Sequence, residues 1–165
     1  MLAEPAARHG AHAVSSLPPK GDAASIAAYY AELAASSPLP LILYYFPKVA
    51  PHAFPEPEQL LDICDLPNVL GVKFTDFNFY LMPRLIKRGT LVFNGYDEAL
   101  AAGLLMGAQG GIGSTYNIMP EAYLALYRAA LAADWEVARH WQNQLNDVVT
   151  TLLSYPFFPA LRAVM

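Results

Sequence analysis

Short apolar runs alternate with helical segments along most of this 165-residue chain, and this alternation constrains the fold more than any other feature. The runs are bounded by Pro, Gly, Asn or Asp and predict strands at 11–17, 41–45, 69–73, 90–94 and 111–114. The segments between them predict helices at 22–36, 56–65, 77–87 and 97–106. Two longer helices, at 120–132 and 134–153, are expected after the last strand.

The predicted strands indicate a parallel sheet covered by helices, because they are apolar throughout and their connections are short. An open doubly wound sheet and a barrel of eight strand–helix units both have this pattern. A barrel draws its site from the carboxyl end of every strand, whereas an open sheet uses one switch point. In this sequence, polar residues that could belong to an active site follow several successive strands. We therefore predict an α/β fold, a partial (β/α)8 TIM barrel, with barrel residues at 1–119 and C-terminal helices at 120–165.

The length of the chain suggests only part of such a barrel. A closed barrel needs about eight units and about 250 residues, and this sequence resembles its strands 4–8 followed by the C-terminal helices. Residues 5–10 look like the last turn of a helix, and 157–162 like the start of one. Five parallel strands cannot close, so the strands near Val14 and Ile112 would present unpaired edges. We expect the chain alone to be insoluble, partnered, or a fragment of an active enzyme.

Composition narrows the class of protein. Apolar residues make up 55% of the chain, and ten basic against fourteen acidic residues leave a net charge of −4. This balance argues against nucleic acid or an anionic membrane as a partner. Cys64 is the single cysteine, no secretory signal or membrane-spanning run is apparent, and the four histidines lack metal-ligand spacing. We expect a cytoplasmic protein without a metal.

Lys73 stands at the end of the apolar run 69–73 and is the strongest candidate for chemistry. An ammonium at the end of a buried strand is costly unless it is paired or neutralised. Tyr44 ends the preceding run, and an amine with a phenol can support Schiff-base chemistry on a carbonyl. The alternatives are a lysine that extends to solvent and an ordinary core tyrosine. Strand alternation places Tyr44 and Phe46 on one side and Tyr45 on the other.

Two further segments carry polar candidates. Gly95, Tyr96, Asp97 and Glu98 follow the fourth predicted strand. They form either a plain helix start with acids in its first turn, or a carboxylate site for substrate hydroxyls. The glycine-rich segment 107–117 lacks the ending of a phosphate loop. It predicts a tight turn followed by a strand without space for side chains, with Ser114 at the carboxyl end.

Taken in order, five segments resemble the N-acetylneuraminate lyase and dihydrodipicolinate synthase family of class I Schiff-base aldolases. They are 10–14 with Pro18 and Pro19, 43–47 (Leu-Tyr-Tyr-Phe-Pro), 71–75 (Gly-Val-Lys-Phe-Thr), 95–98 (Gly-Tyr-Asp-Glu) and 110–117 (Gly-Gly-Ile-Gly-Ser-Thr-Tyr-Asn). The last two are similar to the sialic acid lyase branch. The resemblance implies a pyruvate imine on Lys73, a proton shuttle at Tyr44, and no metal or organic cofactor. It also implies substrate contacts from Thr75, Gly95, Asp97, Glu98 and Ser114.

The implied reaction is reversible cleavage of N-acetylneuraminate to N-acetylmannosamine and pyruvate, in a homo-oligomer that is a tetramer in the family. A dihydrodipicolinate synthase-like enzyme or a 2-keto-3-deoxy sugar acid aldolase is the alternative within the class. The family's carboxylate-binding turn and a tyrosine that reaches the neighbouring subunit would both precede residue 1. A truncated, non-catalytic paralogue that binds a full-length partner through the helical face 121–149 therefore also stays open.

Overall fold

The computed structural model describes residues 2–165, and its strands follow one another in the sheet in the same order as in the sequence. The strands are β1 (Val14–Ser16), β2 (Leu41–Tyr45), β3 (Val69–Phe74), β4 (Leu91–Asn94) and β5 (Gly110–Gly111). The order β1-β2-β3-β4-β5 is that of a barrel segment, whereas a doubly wound sheet reverses its order at a switch point. The predicted α/β fold with a parallel sheet of partial TIM-barrel type is confirmed.

The helices lie close to their predicted positions. They are α1 (Ala3–Arg8), α2 (Ala23–Ser36), α3 (Pro57–Cys64), α4 (Leu81–Lys87), α5 (Leu100–Leu105), α6 (Pro120–Leu131), α7 (Trp135–Leu153) and α8 (Phe157–Val164). The predicted cap of α2 is confirmed, since Asp22 Oδ1 accepts a hydrogen bond of 2.8 Å from the Ser25 N–H. None of the helices in the described range is long and apolar enough to cross a membrane.

Four predicted bounds were wrong. The strand expected at 11–17 is the shorter β1, Val14–Ser16. The helix expected at 77–87 begins only at Leu81, because Asp76 Oδ1 accepts the Phe77 N–H in a local turn before it. The helix expected at 97–106 is instead a 3-10 turn, Asp97–Ala99, followed by α5. The strand expected at 111–114 is β5, at 110–111, and a second 3-10 turn covers Thr115–Asn117.

The chain forms two compact units, one up to Phe93 and one from Asn94 onward. In the first unit, β1 pairs with β2 and β2 with β3, both in parallel. The buried residues of β2 are Leu41, Leu43 and Tyr45, which alternate with partly exposed ones. The predicted division between barrel residues and C-terminal helices at 119/120 remains a prediction.

The register between β2 and β3 contains one extra residue. Leu41 lies opposite Val69, but Ile42 lies opposite Gly71, so Leu70 has no partner across the ladder. Beyond this irregularity Tyr44 lies opposite Lys73. Such a bulge changes which face each later side chain occupies.

The second unit has its own apolar core. Leu100, Tyr123, Leu126 and Leu145 are buried together, and α5, α6 and α7 supply them. A smaller cluster of alanines (Ala129, Ala130 and Ala138) joins α6 to α7. The two long helices therefore pack closely through small side chains.

Candidate active site

Lys73 and Tyr44 lie side by side near the carboxyl ends of β3 and β2. Because the two residues are register partners, Lys73 Nζ lies 4.1 Å from the centroid of the Tyr44 ring. Both side chains are partly buried. A ring face at this distance attracts an ammonium. The structure thus brings together the two residues for which the sequence predicted amine and proton-transfer chemistry.

Tyr45 lies on the opposite face of the sheet. Its ring stacks on that of Phe74, with 5.0 Å between centroids, and also contacts Phe54. Tyr44 instead stacks on Phe46 at 5.9 Å, so the predicted alternation of these residues is confirmed. Burial, and after it the Asp76 carboxylate, raises the pKa of Tyr45 to about 12. Tyr45 is therefore held neutral in the layer between strand and helix, away from Lys73.

Thr75 directly follows β3. It comes two residues after Lys73, so strand alternation predicts the same side for both side chains. Its N–H donates to the Tyr45 carbonyl at 2.9 Å, which continues the ladder beyond the strand. Its side chain is buried, yet the hydroxyl has no hydrogen-bond partner among residues 2–165. Native structures seldom leave a buried hydroxyl unpaired, and such groups are found where a ligand or water binds. This orphaned oxygen marks Thr75 as a ligand-binding candidate.

In the second unit, Asp97 opens the 3-10 turn Asp97–Ala99 and is buried. Its Oδ2 accepts two hydrogen bonds from Thr115, one from the N–H at 2.8 Å and one from the hydroxyl at 2.6 Å. The Thr115 oxygen also lies 2.7 Å from the Tyr123 hydroxyl. A chain of hydrogen bonds from α6 therefore fixes one oxygen of the Asp97 carboxylate.

The glycines around β5 leave room for polar groups of the same unit. A Cβ on Gly113 would overlap Asp97 Oδ1, and a Cβ on Gly111 would overlap the Tyr116 hydroxyl. The prediction of a segment without space for side chains is therefore confirmed at both positions. The Tyr116 hydroxyl is buried without a partner in the described residues, and burial, followed by the Asp97 charge, raises its pKa.

The remaining predicted site residues belong to the second unit, and two of them are close in sequence to the turn Asp97–Ala99. Gly95 and Glu98 flank Asp97 and are partly buried, as is Ser114. The Ser114 carbonyl accepts a hydrogen bond of 2.9 Å from the Asn117 side chain. Thr115, rather than Ser114, hydrogen-bonds to the Asp97 carboxylate. The substrate contacts expected of Gly95, Glu98 and Ser114 remain predictions.

Sequence reasoning missed two side chains of α7 that bind this turn. Gln142 Oε1 accepts the Ala101 N–H at 2.8 Å, and Gln142 Nε2 donates to the Asp97 carbonyl at 3.1 Å. Asn146 Nδ2 donates to the Glu98 carbonyl at 3.2 Å. In a regular helix the Ala101 N–H would bond directly to the Asp97 carbonyl. The inserted amide explains why the predicted helix 97–106 is broken.

A signal for Gln142 was present in the sequence. The apolar stripe of α7 contains Ala138, Leu145, Val149 and Leu152, at helical spacing. Gln142 occupies a position in this row and is buried with them. A buried amide needs hydrogen-bond partners. A polar residue in a core row therefore predicts a specific contact, although not the identity of its partner.

The structure divides the predicted site residues between the two units. Tyr44, Lys73 and Thr75 belong to the first, and Gly95, Asp97, Glu98 and Ser114 belong to the second. Within residues 2–165 no group of three or more His, Cys, Asp or Glu side chains is placed to hold a metal ion. The first set offers a nucleophilic amine beside a phenol, and the second offers carboxylates for hydroxyl groups.

Comparison with known proteins places the sequence and the fold in one family. The model of the Dihydrodipicolinate synthetase family matches residues 1–165. The chain is 37% identical to an N-acetylneuraminate lyase of Rhizobium meliloti, over 99% of this chain and 56% of that protein. A crystal structure of N-acetylneuraminate lyase from Mycoplasma synoviae superposes with a TM-score of 0.85 at 30% identity, over 98% of this chain and 56% of that one.

A solved dihydrodipicolinate synthase has a similar fold, with a TM-score of 0.86 at 25% identity over 97% of this chain and 57% of that one. The chain spans little more than half the length of the curated relatives it matches. The resemblance inferred from the motifs at 43–47, 71–75, 95–98 and 110–117 is confirmed. This chain belongs to the Dihydrodipicolinate synthetase family.

Proposed function

We propose that this chain carries the imine-forming part of a pyruvate-dependent class I aldolase that cleaves N-acetylneuraminate to N-acetylmannosamine and pyruvate. The observation that carries the proposal is the position of Lys73 Nζ, 4.1 Å from the Tyr44 ring centroid at the carboxyl ends of parallel strands. Active sites of barrel enzymes lie at this end of the strands. The curated relatives named N-acetylneuraminate lyase support the choice of substrate.

In the proposed mechanism, the Lys73 amine attacks the keto carbon of the substrate and water leaves, which forms an iminium ion. Tyr44, after releasing its own phenolic proton to water, accepts the proton of the hydroxyl on the carbon that becomes the aldehyde. As the carbon–carbon bond breaks, its electron pair moves into the iminium and an enamine results. Tyr44 then gives that proton to the enamine carbon, and hydrolysis of the resulting iminium releases pyruvate and the free amine. The iminium acts as the electron sink, so no bare carbanion forms.

The other candidates are proposed to bind substrate. The orphaned Thr75 hydroxyl would bind a polar group of the substrate close to the imine, since it lies on the Lys73 side of its strand. Gly95, Asp97, Glu98 and Ser114 would line the pocket for sugar hydroxyls. Asp97 Oδ2 already accepts two hydrogen bonds from Thr115. We therefore expect Asp97 Oδ1 and the Glu98 carboxylate to accept hydrogen bonds from the substrate hydroxyls. The proposed assembly is a homo-oligomer.

Borohydride trapping tests this proposal. The purified chain is incubated with pyruvate and borohydride, and the modified lysine is mapped by mass spectrometry. We expect an adduct on Lys73 and none on Lys48 or Lys87, which serve as internal controls. Lys73→Arg keeps a cation in place but cannot form the imine, so it should give no adduct. Folded protein without an adduct would contradict the proposal and would favour the non-catalytic binding subunit.

Turnover rates with different substrates then identify the substrate that the enzyme prefers. The rate of N-acetylneuraminate cleavage is compared with that of a 2-keto-3-deoxy sugar acid and with the condensation reaction of dihydrodipicolinate synthase. We expect the highest kcat/KM with N-acetylneuraminate. A chain that forms the imine but prefers another substrate would retain the aldolase class and reject the sialic acid assignment.

A further inference from the structure

We propose that Gln142 on α7 is a positioning residue for the turn that carries Asp97 and Glu98, and that it thereby sets the affinity for the hydroxyl-bearing part of the substrate. The inference rests on the proposed function and extends it to a helix outside the predicted site. Its basis is the set of hydrogen bonds between two α7 side chains and the backbone of residues 97–101.

The Gln142 amide lies between the two groups of a helical hydrogen bond. Its Oε1 accepts from the Ala101 N–H at 2.8 Å, and its Nε2 donates to the Asp97 carbonyl at 3.1 Å. An inserted side chain satisfies both groups while it holds them apart, which bends or breaks a helix at that point. The chain accordingly leaves helical geometry between them, since Ala99 has φ −131° and ψ 21°.

Asn146 extends the same contact by one residue. It lies one helical turn after Gln142 and accepts a hydrogen bond of 2.9 Å from Gln142 Nε2, while its Nδ2 donates to the Glu98 carbonyl at 3.2 Å. Two neighbouring side chains of one helix thus hold the carbonyls of two consecutive acidic residues. Each member orients the other, so the pair acts as a unit.

Gln142 and Asn146, with their hydrogen bonds to residues 97–101, form a clamp on the turn, and burial makes this clamp rigid. Gln142 is 7% exposed and its side chain lies in the apolar row of α7. Its oxygen faces a donor and its nitrogen faces two acceptors, so a reversed amide would lose all three contacts. Removal of the amide would leave the Ala101 N–H and the Asp97 carbonyl without these partners. The arrangement therefore specifies one conformation of the turn.

The two acids are held differently. Asp97 is fixed at its backbone carbonyl by Gln142 and at its carboxylate by Thr115. Glu98 is fixed at its carbonyl by Asn146 and is partly buried. A movement of the backbone here would displace the Glu98 carboxylate more than that of Asp97, because within residues 2–165 only the Asp97 carboxylate has a hydrogen-bonded anchor of its own. Such a displacement should lower the affinity for the sugar, whose hydroxyls we propose to bind these carboxylates.

The test compares Gln142→Met with the control Gln144→Met. Methionine keeps the length and flexibility of the side chain but cannot form these hydrogen bonds. Gln144 is on the same helix, is exposed and contacts His140. Three quantities are measured for each protein: the yield of the pyruvate adduct on Lys73, the Kd of the borohydride-reduced adduct for N-acetylmannosamine, and the hydrogen-exchange rate of the Ala101 amide.

We expect Gln142→Met to weaken sugar binding about tenfold and to accelerate exchange at Ala101 about tenfold, as for the loss of a buried hydrogen bond. The yield of the Lys73 adduct should not change, and Gln144→Met should match the unsubstituted chain in all three. A uniform loss of adduct, sugar binding and exchange protection would indicate general unfolding. In that case Gln142→Glu, which keeps the acceptor for Ala101 and loses the donor to Asp97, should weaken sugar binding without loss of the adduct.

Three outcomes would overturn the inference. Faster exchange at Ala101 with unchanged sugar affinity would show a purely structural contact. Unchanged exchange would show that Gln142 does not hold the turn, and equal effects of the Gln142 and Gln144 variants would remove its specificity. An unsubstituted chain that forms no pyruvate adduct contradicts the proposed function itself, which the adduct measurement distinguishes from failure of the clamp alone.

Discussion

Lys73 Nζ lies over the face of the Tyr44 ring because the two residues are opposite one another in the parallel pair β2 and β3. The contact joins a group proposed to form an imine with a group proposed to move a proton. Substitutions can separate these two roles, since the ring holds the cation while the phenol oxygen carries the proton.

Tyr44→Phe should leave the pyruvate adduct on Lys73 intact and should lower the rate of carbon–carbon cleavage by about 10²- to 10⁴-fold, the usual contribution of a general acid–base group. Borohydride trapping and steady-state cleavage measure the two effects. Tyr45→Phe is the matched control, because that ring lies on the other face against Phe74. Similar losses of cleavage in both variants would refute the assignment of the shuttle to Tyr44.

Thr75→Val should increase stability while it reduces affinity for pyruvate. Valine has nearly the same shape, and removal of a buried hydroxyl without a partner should raise the free energy of unfolding by about 1 kcal/mol. Urea unfolding and the pyruvate dependence of trapping are the measurements. Thr90→Val serves as the control because the Thr90 side chain is buried but is not among the unpaired groups of residues 2–165, so stability should not rise there. A less stable Thr75→Val protein with normal pyruvate affinity would contradict the proposal.

Gly113→Ala should disturb the Asp97 carboxylate directly. The added Cβ would overlap Asp97 Oδ1, and relief of this overlap should cost about 1–3 kcal/mol of stability and weaken sugar binding. Gly89→Ala is the control, since it adds a methyl group in open space and strains only a backbone at φ +85°. Both variants should lose stability in urea, but only Gly113→Ala should lose sugar affinity. Equal sugar affinities would argue against a role for Asp97 in binding.

Cys64 should make the fold sensitive to high pH. Burial, and next the Asp65 charge, raises the pKa of its thiol to about 12 from an ordinary 9.0. Between these values the unfolded chain loses the proton while the folded chain keeps it, so stability falls as pH rises from about 9 to about 12. Below pH 9 both states are protonated and the effect is absent.

The measurement is the urea midpoint as a function of pH for the unsubstituted chain and for Cys64→Ala. The variant removes this titration, so its decline over the same interval should be shallower, whatever its absolute stability. Identical slopes would show that the thiol does not contribute. The decline that remains in the variant should include Tyr45, whose raised pKa of about 12 acts in the same direction above pH 10.

Most of the fold could be predicted from signals between residues that are close in the sequence. Strand β2 has the predicted bounds, and Asp22 caps α2 as the sequence indicated. These features depend on residues close in the chain, so apolar runs and capping residues reveal them. The pairing of Tyr44 with Lys73 was also within reach, because strand ends meet at one edge of a parallel sheet.

The turn at residues 97–101 could not be predicted in the same way. Its alanines and its leucine favour a continuous helix, and the residue that interrupts it is Gln142, about forty positions later. Likewise, the contact of Thr115 with Asp97 depends on how two loops approach each other. Tertiary hydrogen bonds of this kind override local propensity, and no periodic pattern encodes them.

The unpaired Leu70 has a consequence for how this family member can change. A regular ladder that paired Leu70 with Ile42 would instead place Lys73 opposite Tyr45, in the helix-facing layer. Insertion of one residue between Gly71 and Lys73 would have the same effect on the register. It would preserve every proposed catalytic residue and barely alter hydropathy, yet it would hide the amine from any substrate. The presence of the right residues in an aligned sequence is thus a weaker guide to activity than the number of residues between them.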